Sequence, residues 1–266
     1  MLIKISKGVC GLNIYLAASV NEASAAAGRQ ARLGFFLGEG GRLVSRVPMQ
    51  AKQGEIMVLF DNGCRGPGNP EALASQIVRE AVRRGFSGVV ADFEGVRNSF
   101  LTALISAMES GLYSRGKSLY VPEQYAPVTA KSKILIPSAL SGGSLKGRLQ
   151  EAAGKWGAGR LALECQRVRE SFPLPSRSGS GEPLTGPQLR RIREKYRPAC
   201  FFSAPLCAYY FTYRNEAGKT RFVLFDDSVS MARKINTAKE LGINDAFLLF
   251  AEIEDIFPDL VRRMPG

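Results

Sequence analysis

Short apolar runs alternate along this chain with longer stretches whose apolar residues recur every three to four positions. The runs at 33–37, 56–61, 88–94, 118–123, 133–138, 160–165 and 246–252 read as strands, and an irregular pair over 200–225 reads as an eighth strand region. Most are continuously apolar rather than alternating, which is the pattern of a parallel sheet covered on both faces. Between them, Leu73, Ile77 and Ala81 form one buried helical stripe, Leu145, Leu149 and Ala152 a second, and Met231, Ile235 and Ala238 a third. Asn69 before Pro70, Ser144 and Ser228 supply helix starts, and Gly242 supplies a left-handed stop.

Strands alternating with helices, without a low-complexity linker, predict an α/β fold. The length of 266 residues is near that of a (β/α)8 TIM barrel, so the expectation is a single barrel domain spanning 1–266. Hydrophobic residues make up 45% and charged residues 23%, an ordinary balance for a globular protein. The absence of histidine decides more. It removes Ser-His-Asp and Cys-His nucleophile systems, His-ligated zinc and His general bases, leaving carboxylates, Tyr, Lys or Cys for any chemistry.

Cys10, Cys64, Cys165, Cys200 and Cys207 are odd in number and widely spaced, so neither a disulfide framework nor a metal site is expected, and no cofactor motif is present. Ser141-Gly142-Gly143-Ser144 lacks the Lys and spacing of a phosphate-binding loop and reads as a tight turn. Lys4, Lys7, an apolar run over 9–20 and Ala23-Ser24-Ala25 imitate a secretion signal, but Asn13 interrupts the run. The expected location is therefore cytoplasmic or spore-associated, with no membrane span. A net charge of +12 favours an anionic partner such as an acidic wall polymer. Arg190, Arg191, Arg193 and Lys195 concentrate on one helix; a solvated face is preferred over nucleic-acid binding, because no nucleic-acid motif accompanies them. The Pro-Gly-Ser stretch over 173–183 reads as a surface loop or as a wall of a substrate cleft.

The strand ends carry the candidate chemistry. Asp61, Asp92 with Glu94, Glu123, Glu164 and Glu252 close five of the eight proposed strands. In a barrel these ends converge on one mouth, so a basic protein would hold an acidic pocket there. Asp92 and Glu94 are one residue apart on a strand and point to one side, the arrangement used to cleave glycosidic bonds. Clustering raises the pKa of at least one member.

The segment Gly85-Phe86-Ser87-Gly88-Val89-Val90-Ala91-Asp92-Phe93-Glu94-Gly95 resembles the family 18 glycoside hydrolase signature Asp-x-x-Asp-x-Asp-x-Glu, especially in its spore-envelope branch. Ser87 and Val90 stand where the first two acids belong; Asp92 and Glu94 match the last two. Phe222-Val223-Leu224-Phe225-Asp226-Asp227-Ser228, a Lys-bearing helix and the run ending at Phe250 are similar to the closing part of the same family. The resemblance implies substrate-assisted retention on an N-acetylglucosamine polymer such as peptidoglycan or chitin. Glu94 would protonate the glycosidic oxygen and Asp92 would orient the acetamido group. Asp61, Glu123, Tyr125, Glu164, Tyr210, Phe250 and Glu252 are the candidate substrate-binding residues, with Phe250 near the place the family usually gives to Trp. Trp156 reads as core. The alternative is a catalytically silent glycan-binding or spore-envelope assembly barrel.

Overall fold

Strand β1 (Asn13–Ala18) is flanked on one side by the last strand of the chain and on the other by β2 (Arg29–Gly38), and this double pairing closes a cylinder. The computed structural model describes residues 11–264 except 20, 23–25, 27, 47–49, 63, 65–67, 141 and 176–180. The signal-like features (Lys4, Lys7, Ala23-Ser24-Ala25), Cys10, Ser141 and the middle of the Pro-Gly-Ser loop lie outside the described residues.

A short antiparallel β3 (Arg42–Ser45) follows β2. The chain continues through β4 (Ile56–Phe60), α1 (Pro70–Arg83), β5 (Gly88–Asp92), α2 (Ser99–Tyr113), β6 (Ser118–Pro122), β7 (Lys133–Pro137), α3 (Leu145–Trp156) and β8 (Leu161–Glu164). It then leaves the barrel for a second sheet. That sheet comprises β9 (Arg169–Leu174), β10 (Glu182–Pro183), β11 (Phe201–Ser203), β12 (Ala208–Arg214) and β13 (Thr220–Phe225), with α4 (Gly186–Tyr196) between β10 and β11. The chain returns through α5 (Ser228–Glu240), β14 (Asp245–Leu249), α6 (Phe250–Ile253) and α7 (Phe257–Arg263). The eight parallel strands run in the order β1-β14-β8-β7-β6-β5-β4-β2, and β2 returns to β1. This is the expected (β/α)8 barrel.

Two strand assignments change. The first barrel strand is β1, not any part of 200–225. Asn13, which breaks the apolar run in the sequence, opens β1, and its side-chain amide donates to Asp245 at 2.8 Å. The segment 200–225 instead forms β11, β12 and β13 of the antiparallel sheet. Its residues alternate between two faces. Phe211, Val223 and Phe225 pack under Leu189 of α4, whereas Tyr210 and Phe222 occupy the opposite face beside Phe172. The turn Asn215–Gly218, with Gly218 at φ +72, joins β12 to β13. The basic residues Arg190, Arg191, Arg193 and Lys195 of α4 are exposed, and the Arg193 guanidinium lies over the Phe225 ring.

Strand alternation divides the barrel into two apolar layers. Tyr15, Val58, Val90, Tyr120, Leu135, Ala162 and Phe247 fill the interior, with Phe247 stacked 4.9 Å from Tyr15. Val89, Ala91 and Phe93 point outward to α1 and α2, joining Leu73, Ile77, Ile105 and Met108. Each such large side chain taken from water contributes about 1.5–3 kcal/mol. The helix starts are those read from the sequence at Asn69 and Ser144, whose side chains accept from Ala72 N and Gly147 N. At α5 the cap is Asp227 rather than Ser228, because Asp227 accepts both Val229 N and Ser230 N.

The second sheet is spliced into the barrel by one buried ion pair. Asp226, where β13 ends, accepts from Lys234 Nζ at 2.5 Å, from Ser230 Oγ at 2.8 Å and from Val168 N at 2.8 Å. Lys234 Nζ also donates to Gln166 O at 3.3 Å. Both side chains are fully buried, so each depends on the other to offset lost hydration. Lys234→Met should therefore destabilise the fold by about 3–5 kcal/mol, since it strands the Asp226 carboxylate. Urea unfolding should show Asp226→Leu with Lys234→Met to be less damaging than Lys234→Met alone.

Candidate active site

Val90 lies in the apolar interior, and Asp92, two residues further along β5, reaches the mouth above it. The inward positions at neighbouring strand ends are Pro122 on β6, Pro137 on β7 and Glu164 on β8. Together with Asp92, Glu123, Leu135, Ala139, Leu140 and Arg148 they enclose a cavity of about 350 Å³. Its floor is apolar and its rim carries carboxylates. In the signature that this strand resembles, an acid would occupy position 90; here a buried valine does, so Asp92 has no ionisable neighbour beneath it.

That environment sets its protonation. Burial pushes the Asp92 carboxyl up, and the nearby charges of Glu94 and Asp61 push it further, to about 6. Glu164 is also raised, first by burial and then by Asp92, with Glu94 and Glu252 adding to the effect; a hydrogen bond from Gln166 Nε2 at 2.8 Å opposes it. Asp61, Asp92, Glu94, Glu164 and Glu252 thus influence one another at one end of the barrel. Glu123 shares the cavity but is held in an ion pair by Arg148 and accepts from Trp156 Nε1 at 3.4 Å. Trp156 is therefore half core and half cavity support. Among the described residues no set of three or more His, Cys, Asp or Glu is disposed to hold a metal ion.

Glu94 itself is exposed, yet the backbone that carries it is clamped. Asp61 Oδ2 accepts from Gly95 N at 3.2 Å, and Gln124 Nε2 donates to Phe93 O at 3.4 Å and Gly95 O at 3.3 Å. A Cβ on Gly95 would lie 2.9 Å from Asp61 Oδ2, so only glycine allows this approach. Phe93 anchors the same segment from behind, its ring 6.1 Å from that of Tyr125.

Three sequence-derived candidates are placed elsewhere. Tyr125 is fully buried in the layer between barrel and helices, because it packs behind Phe93 rather than across the mouth. Phe250 is 2% exposed and packs against Phe257; strand parity turns it outward and gives the inward position to Leu249, which is 38% exposed. Tyr210 belongs to the second sheet, sandwiched between Phe201 and Phe222, and does not line the cavity. Arg148, Gln124 and Gln166 were not legible as site residues. Each lies on a loop or helix and meets the site only through tertiary contact.

No protein-family model and no curated protein matches the sequence. Solved structures do share its fold. The chain aligns with the spore cortex-lytic enzyme SleL of Bacillus megaterium QM B1551 at 14% identity, covering 98% of this chain and 76% of that one, with a TM-score of 0.67. A chitinase from Chromobacterium violaceum ATCC 12472 aligns at 16% identity over 95% of this chain and 98% of its own, with a TM-score of 0.68. A class V chitinase from Nicotiana tobaccum, solved in complex with a GlcNAc oligomer, aligns at 11% identity over 96% and 99% of the two chains, with a TM-score of 0.64. The fold is the one that the family 18 resemblance implies.

Asp92 should titrate near pH 6 by carboxyl NMR, and Glu94→Gln should lower that value by removing a like charge. An ordinary aspartate titrates near 4, so the folded state holds this proton more tightly than the unfolded chain, and stability is lost as pH rises from about 4 to 6. Asp92→Asn should consequently raise the melting temperature above pH 6, with the difference vanishing below pH 4.

Proposed function

We propose that this barrel cleaves a polymer containing N-acetylglucosamine, with Glu94 as general acid and Asp92 as the group that orients the substrate's acetamido arm. The observation that carries this reading is the Asp92–Glu94 pair at the mouth, one member over the 350 Å³ cavity and the other clamped at its rim. Similarity of fold to chitinases and to spore cortex-lytic enzymes supports a glycan of this class.

In this reading the Glu94 carboxylic acid donates its proton to the glycosidic oxygen as the C1–O bond breaks. The acetamido oxygen forms a new bond to C1 from the opposite face and takes on positive charge. The Asp92 carboxylate lies against that charge. Water then adds to C1 as the bond to the acetamido oxygen breaks and the acetamide is restored, giving its proton to Glu94, and the configuration is retained. An exposed Glu94 beside an enclosed Asp92 suits these roles, since the acid must meet a leaving group that departs to solvent. Glu164, Glu123 and Arg148 line the same space and would contact the sugar; Asp61 and Gln124 act through the backbone of the Glu94 loop. A spore-associated location agrees with a cortex-type peptidoglycan substrate.

One observation favours a second reading, a barrel that binds glycan without turnover. Val90 offers no charge or hydrogen bond to Asp92, so nothing below it tunes its proton. Products of chitin oligomers and peptidoglycan strands, measured apart from binding, separate the two. In the enzyme, Glu94→Gln should lower kcat by at least about 100-fold with KM and melting temperature nearly unchanged, because it removes a proton donor of almost constant size. Activity of the unsubstituted protein should rise through pH 6 as Asp92 ionises, and Asp92→Asn should remove that limb. Binding without products in both proteins would select the silent barrel.

A further inference from the structure

A second cavity lies at the other end of the barrel. It measures about 500 Å³ and opens between the end of α2, the start of β6 and the loop entering β7. Because β6 begins at Ser118 and β7 at Lys133, this is the N-terminal face, remote from the mouth that carries Asp92. Tyr113, Lys117, Leu119, Lys131, Ser132 and Lys133 line it.

Two ammonium groups, those of Lys117 and Lys131, meet here with donors to spare, while that of Lys133 turns into the barrel. Lys117 Nζ donates to the Phe86 carbonyl, Lys133 Nζ pairs with Asp245 at 2.9 Å, and Lys131 Nζ stands 3.9 Å from the centre of the Tyr113 ring. A lysine carries three N–H donors, so these contacts leave most of them unused. Glu109, the acid in the wall, is occupied with the loop. It accepts from Ala130 N at 3.1 Å, Lys131 N at 2.8 Å, Ser132 N at 2.7 Å and Ser132 Oγ at 2.7 Å. Its work is to fix the backbone that presents Lys131. Tyr113, 55% exposed, adds an apolar wall beside the cations.

We infer that this cavity is a second binding site, for the phosphate group of a small sugar or polyol phosphate. The lining contains lysines and no arginine. A carboxylate is best met by the planar fork of arginine, whereas two ammonium groups on separate stems match the several oxygens and the double charge of a phosphate. The volume suits a small molecule, and Tyr113 with Leu119 gives its carbon skeleton a surface to cover.

The test is calorimetric titration of the full chain with glycerol 3-phosphate, inorganic phosphate, glycerol and acetate, together with amide NMR. Glycerol 3-phosphate should bind at least tenfold more tightly than acetate, and glycerol should not bind. Inorganic phosphate binding as tightly as glycerol 3-phosphate would assign the site to free phosphate and overturn the sugar or polyol part. Lys131→Gln with Lys117→Gln should weaken binding at least tenfold; Lys133 is left intact because it partners Asp245. Amide shifts in the unsubstituted protein should centre on residues 113–119 and 130–133, a readout independent of how the variant folds. No preference for phosphate over acetate, or shifts centred on Asp92 and Glu164, would overturn the inference whether or not the mouth proves catalytic.

Discussion

Closing eight parallel strands into a cylinder imposes one parity on every strand, and the site follows from it. On β5, Val90 and Asp92 face in while Val89, Ala91 and Phe93 face out. The outward set is as demanding as the inward one. Phe93 must pack on Tyr125, and that contact, with the Gln124 and Asp61 clamps, fixes the carbonyls and N–H groups on either side of Glu94. An acid at the rim of a barrel is thereby held by its buried neighbours, although its own side chain is solvated. The same parity disposes of Phe250: β14 presents Asp245, Phe247 and Leu249 inward, so the next residue turns to the helical ring.

The second constraint is the splice at Asp226. The excursion 165–227 between β8 and α5 must leave and re-enter without unravelling the seam between β8 and β14. Asp226 takes the N–H of Val168 on the outgoing strand, while its partner Lys234 reaches the Gln166 carbonyl beside it. Arg167 continues the seam, donating to Glu252 O at 2.7 Å and pairing with Asp255. The outgoing segment, the returning strand and the helical turn that follows β14 are thus tied by charges that are costly to leave unpaired.

Much of the fold was legible because parallel barrel strands are short, apolar and bounded by capped helices. Seven of the strand regions read from the sequence are barrel strands, matched by β2, β4, β5, β6, β7, β8 and β14. β1 was obscured by Asn13, a polar residue whose amide donates to Asp245, 232 positions away, and accepts from Arg29. The region 200–225 was mistaken for a barrel strand because its aromatic content outweighed its alternation and its Asn215–Gly218 turn. At the site, the acids were readable from strand ends, since backbone direction alone carries them to one mouth. Tyr125, Tyr210 and Phe250 were not, because an aromatic ring is equally at home in a sugar site and in a packing layer, and only side-chain direction separates the two.

The charge distribution gives the two ends of the barrel different chemistry. With 36 basic and 24 acidic residues the chain should repel cations as a whole, yet Asp61, Asp92, Glu94, Glu164 and Glu252 are gathered at one end, where Asp92 and Glu164 hold protons that dispersed carboxylates would release. At the far end Asp245 is the acid of the interior. It is satisfied by Asn13, Tyr120 and Lys133, and its charge is answered before it can reach the mouth. Between the two lies the apolar layer of Tyr15, Tyr120, Leu135 and Phe247, which separates them by distance. Asp92 and Glu164, crowded above such a layer, keep their protons to a higher pH than isolated carboxylates would. The basic remainder of the surface makes that arrangement tolerable, since it favours the approach of an anionic polymer whose neutral sugars could then enter the mouth.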